Sequence, residues 1–185
     1  MASRTGRPRA VSAHTLEEAA SELFLERGYV HTSIDDIAAR AGISRATFFN
    51  YFAQKSDLLF VSVDAALDQL EQRLDEGMGL REAIAHVADS VACTEVPLVV
   101  TQAEAMGALE DAVDAGPARV ARLRLLVATE VDQPVWQWAV AGAIAEAAKA
   151  WALGPHSGGG LRDAIAGALA ALTKPPHSLP TIELL

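Results

Sequence analysis

Cysteine is nearly absent. Cys93 is the one thiol in 185 residues, so no intrachain disulfide framework can form and no thiolate zinc site can be assembled. Aromatic residues are scarce at 5%, and the 13 Gly and 8 Pro are ordinary numbers, which excludes fibrous repeats and a globally disordered chain. Positive charge is also in short supply. Fifteen Lys and Arg against 24 Asp and Glu leave a formal net charge of −9, so the chain as a whole repels nucleic acid. The opening MASRTGRPRAVSA has Arg but no apolar segment behind it, so no secretory signal is read and a reducing, cytoplasmic setting is expected. Catalytic signatures are missing too: there is no Glu-x-x-His pair, no Ser-His-Asp signature and no phosphate-cradling glycine loop. His86 follows Glu82 by four residues, but no further ligand cluster accompanies it, so no metal, no cofactor and no enzyme activity are expected.

What is present favours helices. Ala (37) and Leu (21) dominate a composition that is 51% apolar, and no period-2 strand pattern stands out, so an all-α fold of about nine helices is expected. The charge is unevenly spread. Residues 1–60 hold seven basic and seven acidic side chains, whereas 61–185 hold eight and seventeen, so the whole −9 lies in the second part. Ser12 caps a first helix, with Leu16, Ala19, Ala20, Leu23 and Phe24 at helical spacing and Gly28 as its stop. Ser33 and Asp36 have capping-box spacing at the head of a second helix, which ends at Gly42. Ser44 caps a third, from Arg45 to about Tyr51, and Ser56 is expected to cap a long fourth, Asp57 to Glu76. Further helices are predicted over 80–93, 97–115, 118–129, 134–153 and 161–173, with Gly116-Pro117 as a break.

The second and third helices, joined by Gly42-Ile43-Ser44, form a helix-turn-helix. Ile34, Ile37 and Ala38 can pack the second helix on the first, leaving Arg45, Ala46, Thr47 and Asn50 to face a major groove. No acidic residue lies between Ile37 and Ser56, while Arg40, Arg45 and Lys55 are basic, and the capped starts at Ser33, Ser44 and Ser56 suit phosphate oxygens. Read together, TSIDDIAARAGISRATFFNYFAQKSDLL resembles the DNA-binding segment of the TetR (tetracycline-repressor) family of bacterial regulators. Thr32, Ser33, Ile37, Ala38, Ala41, Gly42, Ile43, Ser44, Thr47, Phe48, Tyr51, Phe52, Lys55 and Leu58 fall on its pattern, and upstream Phe24, Gly28 and Tyr29 match its first helix. The resemblance covers about residues 12–60. It implies a regulator that binds a double-stranded operator as a homodimer, repression being the commoner mode. By position it places phosphate contacts on Ser33, Thr47 and Lys55 and base reading on Arg45, Ala46 and Asn50. Asn50 suits adenine and Arg45 suits guanine by hydrogen-bond geometry. Two residues depart from the pattern: Ala46 stands for the usual Gly, and Phe49 for a Tyr whose hydroxyl reaches phosphate in the family.

The expected layout is a basic arm (1–11), a helix-turn-helix domain (12–55), an effector-binding and dimerisation domain (56–174) and a tail (175–185). In the arm, Arg4, Arg7 and Arg9 surround Gly-Arg-Pro, the core of an AT-hook, and are assigned to an A·T-rich minor groove. Helices 134–153 and 161–173 carry small residues where a solvated helix carries charge, so Trp138, Gly142, Ala145, Ala166, Gly167 and Ala170 are assigned to a homodimer four-helix interface. Gln137, Glu146 and Lys149 argue against helix 134–153 as a membrane span. Phe60, Val63, His86, Cys93, Gln102, Met106, Trp136 and Val140 are the candidate pocket for a small apolar effector. The alternative reading is a dimeric helical module that senses small molecules or binds protein without operator-specific DNA binding.

Overall fold

The computed structural model describes residues 12–91, 98–154 and 160–172, and among these the chain is helical with no strand. In chain order the helices are α1 (Ala13–Arg27), α2 (Ile34–Arg40), α3 (Arg45–Phe48), a 3-10 turn (Lys55–Phe60), α4 (Val61–Asp75), α5 (Leu80–Ser90), α6 (Leu98–Thr101), α7 (Leu109–Val127), α8 (Pro134–Leu153) and α9 (Leu161–Leu172). The chain divides into two compact units. Residues 1–61 join with 97–115 in the first, and 62–96 with 116–185 form the second, so the first unit borrows a segment that a linear division at residue 55 does not include.

The first unit is built from short, capped pieces. Ser12 Oγ accepts from Thr15 N–H at the start of α1, and Gly28 ends the helix at φ +83°, ψ 153°, a region closed to side chains with a Cβ. At α2 the expected capping box is present: Ser33 Oγ accepts from Asp36 N–H, and the Asp36 carboxylate accepts from Ser33 N–H. Leu16, Leu23, Phe24, Ile37, Phe48, Leu58 and Leu59 are almost wholly buried and form the core. The fourth cap differs from the expectation. Ser56 is buried, and it is the Asp57 carboxylate that accepts from Ala53 N–H and Gln54 N–H, so the chain enters a 3-10 turn before α4 begins at Val61. The expected single helix over 97–115 is also interrupted: a turn between Thr101 and Leu109 buries Ala103, Met106 and Ala108.

The second unit packs α4, α5, α7, α8 and α9 around Leu67, Leu70, Ala83, Val87, Leu123, Val127, Ala141, Ile144, Ala147 and Ile165. Gly116-Pro117 does not break the chain, because α7 runs through it. Pro117 lies on the exposed side of α7, as does Val113 four residues before it, where the missing N–H leaves the core packing untouched. Arg119 is only 14% exposed along its side chain and binds Asp64 through two hydrogen bonds, of 3.1 and 2.8 Å. On α8 the pocket candidate Trp136 turns outward. Gln137 is buried and Trp136 is exposed, because the Gln137 amide donates to Val131 O at 2.8 Å and accepts from Arg124 Nη1 at 2.8 Å. No helix among the described residues is long and apolar enough to cross a membrane.

Candidate nucleic-acid interface

The turn between α2 and α3 depends on one backbone conformation. Gly42 sits at φ +70°, and Ile43 N–H reaches back to Ala38 O at 2.9 Å, closing α2 and turning the chain into Ser44. Ser44 Oγ accepts from Thr47 N–H at 3.1 Å and caps α3. Phe48 is fully buried and packs on Phe52, with ring centroids 5.6 Å apart, which anchors the inner side of α3. Arg45 and Ala46 of α3 and Asn50 beyond its end are exposed to solvent, together with the half-exposed rings of Phe49 and Tyr51. The third helix is shorter than expected, ending at Phe48, so the three residues assigned to base reading are divided between α3 and the turn that follows it.

The residues assigned to phosphate are more occupied. The Ser33 hydroxyl bonds the Asp36 carboxylate, and the Thr47 hydroxyl lies 2.9 Å from Ser44 Oγ. Lys55 Nζ donates to Tyr29 O at 2.7 Å and Thr32 O at 3.0 Å and sits 3.9 Å from the centre of the Tyr29 ring. Burial lowers the Lys55 ammonium below the ordinary lysine range, with nearby Asp111 opposing the shift. Tyr29 ties this corner together: its N–H donates to Met106 O at 2.8 Å and its hydroxyl to Asp111 Oδ1 at 3.3 Å. Burial, reinforced by Asp111, raises the Tyr29 phenol well above its ordinary range.

The basic stretch inferred from 37–56 is not a bare positive surface. Arg40 is clamped by Glu22 and Glu26 of α1, each at 2.8 Å, and Arg45 pairs with Asp35 of α2 at 3.0 Å. Hydrogen bonds from Arg40 hold the Glu26 carboxyl below its usual range, and those from the Ser33 hydroxyl and N–H do the same for Asp36. The acids come from outside the window that looked acid-free. Glu22 and Glu26, spaced i,i+4 on α1, were the signal that could have revealed them.

The residues assigned to the effector fall in both units. Phe60, Gln102 and Met106 belong to the first unit, and Val63, His86, Trp136 and Val140 to the second. His86 and Trp136 are exposed, and Cys93 lies outside the described residues, as do Arg4, Arg7 and Arg9. Within the second unit a cavity of about 580 Å³ is lined by Leu80, Ile84, Ala88, Val131, Val140, Ile165 and Leu169, with Arg81, Glu130 and Arg162 among its polar groups. Val140 alone of the assigned set lines it. The i,i+4,i+8 spacing of Leu80, Ile84 and Ala88 was the legible clue to this wall. Of the residues assigned to a dimer interface, Trp138, Ala166, Gly167 and Ala170 are exposed and Gly142 and Ala145 half-buried, while Ala166 and Ala170 also border the cavity.

Comparison with known proteins bears on the same segment. Residues 16–61 match the family described as bacterial regulatory proteins, tetR family. The chain is 38% identical over 85 residues to a putative mycofactocin biosynthesis transcriptional regulator, MftR, of Mycobacterium tuberculosis, covering 44% of this chain and 43% of that protein. It is 41% identical over 70 residues to the HTH-type transcriptional repressor Rv3405c of the same species, covering 38% of this chain and 34% of the relative. The matched region thus spans under half the length of these curated relatives. Among solved structures, the fatty acid degradation regulator FadR of Bacillus halodurans superimposes with a TM-score of 0.51 at 17% identity, over 90% of this chain and 96% of that one, a likeness of fold.

Proposed function

We propose, on the premise that this chain belongs through residues 16–61 to the tetR family of bacterial regulatory proteins, that it is a ligand-responsive DNA-binding transcriptional regulator. The observation that carries the reading is the exposed surface made by Arg45 and Ala46 of α3 and Asn50 of the turn after it, over the buried Phe48. Such a surface fits a major groove, with Arg45 toward guanine and Asn50 toward adenine. Ser33, Thr47 and Lys55 would contact phosphates. Two of the three Lys55 N–H groups hold Tyr29 O and Thr32 O, so one remains for an oxygen of the backbone. Arg4, Arg7 and Arg9 would follow the adjacent minor groove.

A second copy completes the proposed machine. The small residues of α8 and α9, Gly142, Ala145, Ala166, Gly167 and Ala170, allow close helix approach, and a two-fold dimer requires an inverted-repeat operator. The apolar cavity between α5, α8 and α9 is the proposed effector site, and repression released by a small apolar molecule is the proposed mode. One observation favours the alternative of a sensing module without an operator: Arg40, Arg45 and Lys55 are all engaged within the protein.

Selection from a randomised duplex pool with the full chain separates the two. Enrichment of an inverted repeat bound by two protomers supports the regulator. A pool that stays random supports the sensing module.

A further inference from the structure

We propose that Asp35 and Phe49 position the Arg45 guanidinium so that Arg45 and Asp35 read one G·C pair together, an inference that rests on the DNA-binding reading above. Arg45 Nη1 lies 3.0 Å from Asp35 Oδ2, and its guanidinium carbon lies 5.3 Å from the centre of the Phe49 ring. Phe49 in turn meets Phe48 edge-on, with centroids 5.5 Å apart, and Phe48 is fully buried. A chain of contacts therefore runs from the core to an exposed guanidinium.

Asp35 is not part of the cap of α2, whose capping box uses Asp36. Both side chains of the Asp35–Arg45 pair are more than half exposed, and an ion pair in that setting adds little to folding. Its effect falls on Arg45, whose long side chain would otherwise sample many rotamers. Bound to Asp35 through one N–H and set against the Phe49 ring, the guanidinium keeps its other donors for the O6 and N7 acceptors of guanine. Asp35 has a second use in the same place. An ionised carboxylate only accepts, so it suits the N4 amino group of cytosine and repels phosphate. The pair thus favours a G·C edge and opposes docking on the backbone alone. Phe49, which departs from the usual Tyr, gives up a hydroxyl and supplies an apolar platform.

The test compares enriched motifs from a randomised duplex pool for the wild-type chain, Arg45→Ala, Asp35→Asn, Asp35→Glu and Phe49→Leu, each checked by circular dichroism and melting. The wild type should enrich one guanine per half-site that Arg45→Ala no longer selects. Asp35→Asn should reduce the preference for that guanine by about tenfold and raise affinity for unselected random duplex. Asp35→Glu should restore the preference, and Phe49→Leu should weaken it. A motif unchanged in Asp35→Asn overturns the inference while the DNA-binding reading stands, as does a wild-type motif with no position dependent on Arg45. A wild-type pool that enriches nothing overturns both.

Discussion

Between Ala13 and Phe60 the first unit assigns nearly every structural decision to a single residue, whereas the helices of the second spread theirs over repeated Ala and Leu. Ser12, Ser33, Ser44 and Asp57 each cap one piece, Gly28 and Gly42 each hold one left-handed backbone angle, and Phe48 alone anchors α3. In the second unit α8 is 20 residues long and α9 is 12, and their packing is shared among Ala141, Ile144, Ala147 and Ile165. Charge follows the same division. Arg40 and Arg45 of the helix-turn-helix are each paired with designated acids, while the acid excess of 61–185 remains on the second part. The difference teaches that a surface meant to meet one ligand edge needs unique positions, while a helical body needs only pattern and volume.

Single substitutions should break the first unit more readily than the second. The largest effect is expected for Phe48→Ala, which empties a fully buried ring position and should cost about 3–5 kcal/mol in urea unfolding. Gly28→Ala comes next, at about 1–3 kcal/mol, from backbone strain. Crowding is not the cause, since an added Cβ would lie 4.0 Å from Met106 O. The second unit has one comparable joint: Gln137→Ala leaves Arg124 and the Val131 carbonyl short of a partner, and should cost about 1–3 kcal/mol by the same assay. Should Gln137→Ala prove silent, the second unit is more tolerant than its hydrogen bonds suggest.

Smaller effects sharpen the contrast. Ser33→Ala should lose about 1 kcal/mol with the capping box. Because the folded Asp36 carboxyl titrates below its ordinary value, its contribution is present above the ordinary carboxylate range and is lost as pH falls through the lowered value. The melting-point gap between wild type and Asp36→Asn should therefore be open at neutral pH and close in acid. Arg162→Ala, which removes an exposed ion pair with Asp89, should change stability by less than about 1 kcal/mol.

Legibility in the sequence follows the same line. The caps at Ser12, Ser33 and Ser44, the stops at Gly28 and Gly42 and the exposed set Arg45, Ala46 and Asn50 were readable, because local chemistry decides each of them. The burial of Gln137 and Arg119 is not legible locally, because a polar side chain enters the interior only when partners elsewhere, here Val131 O and Asp64, satisfy it. Pro117 was taken for a break because the sequence does not tell which helix face meets water. The Asp35–Arg45 pair was invisible since its two residues lie ten apart and meet only after the turn at Gly42. The cavity wall was half legible: its spacing on α5 is helical, but its partner residues Ile165 and Leu169 come from the far end of the chain.

Fluorescence anisotropy of the full chain, on the inverted repeat recovered by selection and on a shuffled duplex of equal length, across a salt series, tests the central claim most directly. The account predicts saturation at two protomers per repeat, affinity about a thousandfold above the shuffled duplex, and weakening of both as salt rises. Equal affinity for the two duplexes at every salt concentration would contradict it.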